Sequence, residues 1–172
     1  MTQLPSWIEP AAGEWLLAMM WHEDAELQPA RGAHVRFAPT MTTHQLYYDG
    51  GPLHSAPGEP RRHVSGVVMS EGPWLLAADV PIVLNDPHPF GVGSQVDVDG
   101  VVELDGDDSH VREPFASDWE IVELGAWRST VANRYSERND ASSRRLERIA
   151  GVGEDLEHLL VRCRLVRAGH FR

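Results

Sequence analysis

The feature that most constrains this chain is the run Gln95-Val-Asp-Val-Asp-Gly-Val-Val-Glu-Leu104. In it Val96, Val98, Gly100, Val102 and Leu104 fall on every second position, with Asp97, Asp99, Val101 and Glu103 between them. An extended backbone points residues of one parity to one side, so the run reads as a strand with one dry and one wet face. Other short apolar runs surround it: Val64-Ser-Gly-Val-Val-Met69, Trp74-Leu-Leu-Ala-Ala78, Val80-Pro-Ile-Val-Leu84 and Asp118-Trp-Glu-Ile-Val-Glu-Leu124. The Trp74 and Val80 runs are apolar in both parities, which predicts cover on both faces. Residues 63–127 are therefore expected to hold the sheet around which the rest is arranged.

Taken in order, the pieces Val64-Ser-Gly-Val-Val, Trp74-Leu-Leu, Pro81-Ile-Val-Leu, Val92-Gly-Ser-Gln-Val-Asp-Val-Asp-Gly-Val-Val and Trp119-Glu-Ile-Val-Glu-Leu resemble the strands of the oligonucleotide/oligosaccharide-binding (OB) fold. The fourth is similar to the hydrophobic-Gly-x-x-Val-x-Val-x-Gly-x-Val entry of many such barrels. The resemblance implies a mainly β fold with flanking helices, built on a five-stranded or slightly extended antiparallel OB-like barrel. It puts Gly100 where a strand bends too sharply for a side chain. Ala77-Ala-Asp-Val-Pro81 lacks the Asn-Gly or Asp-Gly of a tight hairpin, so this stretch is either an irregular hairpin or one long bent strand. The ligand face implied by the resemblance is strands two and three with the adjoining loops, which names Trp74, Leu75, His110 and Arg112 as ligand-binding residues.

At 172 residues and 42% hydrophobic, the chain suits one compact domain in three stretches. Residues 1–62 are expected to supply an N-terminal helix and added strands, 63–128 the barrel, and 129–172 a C-terminal helical segment. Ser6-Trp-Ile-Glu9 has capping-box spacing, and Ile8, Ala12, Trp15, Leu16, Met19 and Met20 follow at helical intervals, predicting a helix that ends near His22. Ala33-His-Val-Arg-Phe37 and Gln45-Leu-Tyr-Tyr48 read as strands. Near the other end, Leu156, Leu159, Leu160 and Cys163 share a helical face, while Val161, Cys163 and Leu165 alternate as an edge strand would. The four-residue apolar period favours the helix.

Charge is unevenly spread. The formal net charge is −11, and all 15 basic residues are arginine. Residues 63–128 hold 13 acids against 2 arginines, whereas residues 129–172 hold 9 arginines against 6 acids. A phosphate backbone is bound largely by cations that displace its counterions, so an acidic barrel disfavours nucleic acid wherever its acids line the binding face. The expected partner of that barrel is a protein or a small ligand, with an acidic patch steering a basic partner. The arginine-rich end gives the alternative. Leu146-Glu-Arg-Ile-Ala-Gly-Val-Gly-Glu-Asp-Leu-Glu-His-Leu-Leu160 resembles the helix-hairpin-helix element of DNA-binding proteins, whose glycine turn brings backbone N–H groups to a phosphate. That resemblance implies contacts from Arg144, Arg145, Arg148, Gly151 and Gly153. Glu154, Asp155 and Glu157 depart from the family pattern, and a plain joint between two helices explains the same residues.

Chemistry is thinly signalled. Cys163 is the only cysteine, which excludes an internal disulfide and a multi-cysteine zinc site, and the nine histidines show neither HxH nor HExxH spacing. No metal or cofactor is expected. There is no Gly-x-Ser-x-Gly elbow, and Gly91-Val-Gly93 lacks the third glycine of a dinucleotide fingerprint. A small hydrolase using a carboxylate such as Asp79 or Asp86 with His88 is the enzymatic alternative to a non-catalytic module. No apolar run nears 18 residues and no basic-then-apolar leader is seen, so the expected location is cytoplasmic, without membrane contact.

Overall fold

The computed structural model describes residues 4–21, 24–25, 27–42, 61–69, 74–77, 80–84, 91–104, 115–129, 144–153 and 158–169. Ten strands carry the fold: β1 (Glu14–Met20), β2 (His34–Phe37), β3 (Thr40–Thr42), β4 (Arg61–Val68), β5 (Trp74–Ala77), β6 (Val80–Leu84), β7 (Gln95–Glu103), β8 (Ser117–Ser129), β9 (Arg144–Arg148) and β10 (His158–Arg167). They form one curled, open sheet, a half-barrel, ordered β2-β8-β10-β1-β7-β3-β6-β5-β4, with β9 also on β8. Among the described residues there is no helix, and none is long and apolar enough to cross a membrane.

One end of the sheet curls back on itself. β4 pairs with β5, β5 with β6, β6 with β3, β3 with β7, and β7 with β4 again. The β7 alternation is realised as expected, with Val96, Gly100, Val102 and Leu104 buried and Gln95 and Asp97 exposed. Ala77 stands opposite Val80, so β5 and β6 are a hairpin and not one bent strand. Two expectations fail here. The Trp119 strand does not complete this circuit; the short β3, from the N-terminal part of the chain, does. The sheet is also mixed, since β3 runs parallel to β6 and β1 parallel to β7.

The remaining strands form a wing. β10 lies between β1 and β8, antiparallel to both, with Leu17 opposite Val161 and Val161 opposite Leu124. β2 pairs with the first residues of β8 and β9 with the last, so the two lie end to end along its other side. The bridge between Ala30 and Gly151 joins them.

Both expected flanking helices are thereby corrected. Residues 14–20 are a strand because Trp15, Leu17 and Met19 alternate into the core, while Pro10 and Gly13 (φ 81°) stand where a helix would have to run. The Ser6-Trp-Ile-Glu9 segment is a turn, closed by the Ile8 amide on the Pro5 carbonyl. Leu159, Val161 and Cys163 likewise alternate inward, so β10 is a strand at the centre of the wing, neither helix nor edge. The helix-hairpin-helix expectation falls with it, since Arg144–Arg148 pairs along Gly125–Ser129 as β9.

The two parts share one core. Trp15, Leu17, Met19, Trp119, Ile121 and Leu124 from the wing join Val64, Val68, Ile82, Val96 and Val102 in a single buried cluster. Trp119 is its hub, stacked on Phe37 (centroids 5.2 Å, planes 15° apart) and edge-on to Trp15 (5.6 Å, 67°). Its indole N–H donates to the Phe37 carbonyl at 3.2 Å, so its burial leaves no orphan donor.

Candidate functional site

Arginines and acids meet first on the wing. The pairing of β8 with β10 shifts between Ile121, opposite Cys163, and Glu123, opposite Arg162, leaving Val122 as an extra residue. Such a bulge reverses the parity of the strand. Trp119 and Ile121 face the main core before it and Leu124 and Ala126 after it, which turns Glu123 and Gly125 to the other face. That face is covered by the N-terminal turn. A Cβ on Gly125 would come within 2.9 Å of Leu146 Cδ1 and of Trp7 Cη2, so glycine is what lets these two side chains lie on the strand. Beside them Arg162 donates through Nη1 to the carbonyls of Trp7 (2.9 Å) and Glu9 (3.0 Å), fastening the turn to β10. Its buried Nε, 3.5 Å from Glu14 Oε1, is at ion-pair distance without forming a hydrogen bond.

Glu123 is the buried carboxylate of this region, 3% exposed. Arg31 Nε and Arg148 Nε each lie 2.5 Å from a different one of its oxygens, and Arg31 also donates to the Ile149 carbonyl at 3.0 Å. A buried ion needs partners of this kind to offset lost hydration, so the clasp joins the segment before β2, the middle of β8 and the end of β9. The other β8 acids are also paired: Asp118 with Arg36 at 3.6 Å, and Glu120 with Arg164. Arg148 and Arg164 of the C-terminal stretch thus lie against acids of β8, and for these two the expected division into an acidic barrel and a free cationic tail does not hold. Of the 13 acids in residues 63–128, three are on β7, three on β8 and seven lie outside the described residues.

Few of the residues named from sequence come together. Trp74 and Leu75 lie on β5, with Leu75 opposite Val68 and Ile82. His110, Arg112, Asp79, Asp86 and His88 lie outside the described residues, as does the strand expected at 45–48. Arg144, Arg145 and Arg148 share β9, where alternation sets Arg145 and Arg148 on opposite faces instead of in one grip. Arg148 is engaged by Glu123 and lies 5.8 Å from the Trp7 ring centroid, while Arg145 is exposed. Gly151 forms the bridge to Ala30, and Gly153 is exposed with open space around it.

Besides the Glu123 clasp, sequence reasoning missed two further groupings. On the outer face of β4 and β7, Asp97 accepts a hydrogen bond from Ser65 and lies 3.7 Å from His63 Nε2. The carboxylate stands between hydroxyl and imidazole, so the imidazole is not placed to take the serine proton and the trio is no nucleophilic triad. On the inner face, Arg62 of β4 places its guanidinium carbon 3.7 Å from the centroid of the buried Trp15 ring. Such a contact contributes about 0.5–2 kcal/mol. Burial lowers the Arg62 pKa from its ordinary value. The nearest hint in the sequence was the parity of Arg62 with Val64, Gly66 and Val68, all three of which are buried.

Cys163 is fully buried, and burial first, Glu14 second, pushes its thiol well above the ordinary range, so it is no nucleophile. Among the described residues no group of three or more His, Cys, Asp or Glu could hold a metal ion. No protein-family model matches the chain, and neither a curated protein nor a solved structure matches it.

Proposed function

We propose that this chain is a non-catalytic binding module, an OB-like barrel extended by a wing, that engages a protein or small ligand on its barrel part. The observation that supports this reading is an exposed apolar end on the barrel part, set beside a wing whose acids are taken up by its own arginines. On the wing, Glu14, Asp118, Glu120, Glu123 and Glu147 each lie within ion-pair distance of an arginine of the same chain, so these groups hold strands together. On the barrel part Met69 and Val92 are exposed apolar side chains at one end. They are brought near each other because the amide of Gly93 donates to the Val68 carbonyl at 2.7 Å and the amide of Val68 donates to the Ser94 carbonyl at 3.0 Å. The OB-like reading rests on β4, β5 and β6 being consecutive antiparallel neighbours, with β7 returning to β4.

The test is amide chemical-shift mapping on the isotope-labelled full chain, titrated with a set of small carboxylates, phosphates and neutral apolar fragments. Perturbations clustered on β4, β5, β7 and the Met69–Val92 end are expected. Perturbations confined to β9 and β10 would overturn the reading. A second reading, phosphate contact through the C-terminal arginines, is favoured by the exposed Arg145, which makes no ion pair among the described residues. It predicts duplex binding that weakens steeply with salt and a salt slope reduced by about one unit in Arg145→Ala. A slope unchanged by that substitution would remove it.

A further inference from the structure

We infer that Arg62, backed by the Trp15 ring, is a receptor for an oxyanion, the carboxylate or phosphate of a small ligand that enters where the wing forks from the barrel. The fork follows from the strand register. β4 pairs along β7 from Val67 opposite Gln95 to Arg61 opposite Val101, and β1 takes over with Ala18 opposite Glu103 and the Leu104 amide on the Ala18 carbonyl. β3 meets β7 at Val101 and Glu103, so β4 and β1 must share the opposite edge and part company there. Arg62 stands at that parting, and its cross-strand partner Gly100 sets no side chain against it.

Charge around the fork is segregated. Arg62 has the parity of Val64, Gly66 and Val68, which are buried, whereas His63 and Ser65 are exposed. Asp97 has the outward parity and is held by Ser65 and His63. Glu14, next to Trp15 in sequence, is turned to the other face of β1, where it lies by Arg162 and accepts from the Ala11 amide. Among the described residues no carboxylate lies within ion-pair distance of Arg62, whose guanidinium lies on the aromatic face of Trp15. A guanidinium with one flat face on a ring keeps its N–H edge for a planar, bidentate acceptor. A half-buried cation without an acid beside it gains most from a ligand that supplies one.

The inference deepens the binding-module reading, and its test separates the two. Benzoate and inorganic phosphate would be titrated into the full chain at constant ionic strength, with benzamide and chloride as neutral and monatomic controls, following the Arg62 side-chain Nε–H resonance and heat of binding. Expected is saturable millimolar binding of benzoate, phosphate or both, with the Arg62 resonance shifting and the controls silent. Response to benzoate alone identifies a carboxylate ligand, and to phosphate alone a phosphate ligand. Arg62→Met keeps the apolar stem on Trp15 and should weaken binding about tenfold or more. Arg62→Lys should weaken it less than Arg62→Met but measurably, because an ammonium lacks the bidentate edge. Equal affinity in wild type and Arg62→Met, or no response of the Arg62 resonance to either anion, overturns the receptor. Fragments that still perturb β4, β5 and the Met69–Val92 end in that case leave the binding module standing.

Discussion

The wing and the barrel part use the same residue types in opposite ways. In the wing, the middle of β8 is covered on both faces, with Glu123, Leu124, Gly125 and Ala126 all buried, and charged groups near the N-terminal turn are paired: Glu123 with two arginines, Arg162 with two carbonyls and Glu14. In the barrel part, β7 keeps one dry and one wet face, Asp97 is met by neighbours on the wet side, and Arg62 alone carries charge inward among the described residues. The difference teaches that cation count does not locate a binding surface. In the arginine-rich end Arg148, Arg162 and Arg164 are internal fastenings, and Arg62 of β4 is the less compensated charge.

The largest expected effect comes from the residue that ties the two parts together. Trp119→Ala removes the ring that touches both Phe37 and Trp15, and should cost about 3–5 kcal/mol in urea unfolding. A single weakened transition would mean that wing and barrel unfold as one, and two separated transitions would break them into independent units. Next, Glu123→Ala leaves Arg31 and Arg148 without their buried acceptor. Because both guanidiniums are partly exposed, a loss of about 2–3 kcal/mol is expected, below the cost for a fully buried pair. Stability unchanged within error would deny the clasp its role.

Cys163 sharpens the contrast through pH. Its folded pKa is raised, so the folded state favours the neutral thiol, and this contribution is complete below the unfolded pKa of about 8.5 and declines as pH rises above it. Above that point the thiol should cost about 1.4 kcal/mol of stability per pH unit, and Cys163→Ala should flatten the alkaline limb by that slope. The smallest effect is expected at the rim: Arg36→Ala, whose pair with Asp118 is exposed on both sides, should change stability by less than about 0.5 kcal/mol.

How much was legible in the sequence depended on how many faces a strand buries. β7 was readable because its wet parity is marked by acids, and β5 and β6 because both runs are short and separate. β1 and β10 were misread as helices for a shared reason. Trp15-Leu-Leu-Ala-Met-Met20 and Leu159-Leu-Val161 are apolar in both parities, so the three- and four-residue spacings of a helix are present by default. Within β10 the correct signal was the Val161-Arg-Cys-Arg-Leu165 alternation, outweighed by the leucines before it. β3 has three residues and no pattern of its own, and its place between β6 and β7 is set by distant pairing. The Glu123 clasp depends on a bulge at Val122 and on partners 92 and 25 residues away, none of which a local reading exposes.

The choice between a paired internal tail and a free phosphate-binding one rests on the conformation of residues 144–167, which backbone chemical shifts with native-state amide exchange on the full chain measure directly. Expected are extended shifts for Arg144–Arg148 and His158–Arg167, with the amides of Leu159 to Leu165 among the slowest to exchange because β10 is flanked by strands on both sides. Helical shifts across these residues, or fast exchange throughout β10, would contradict it.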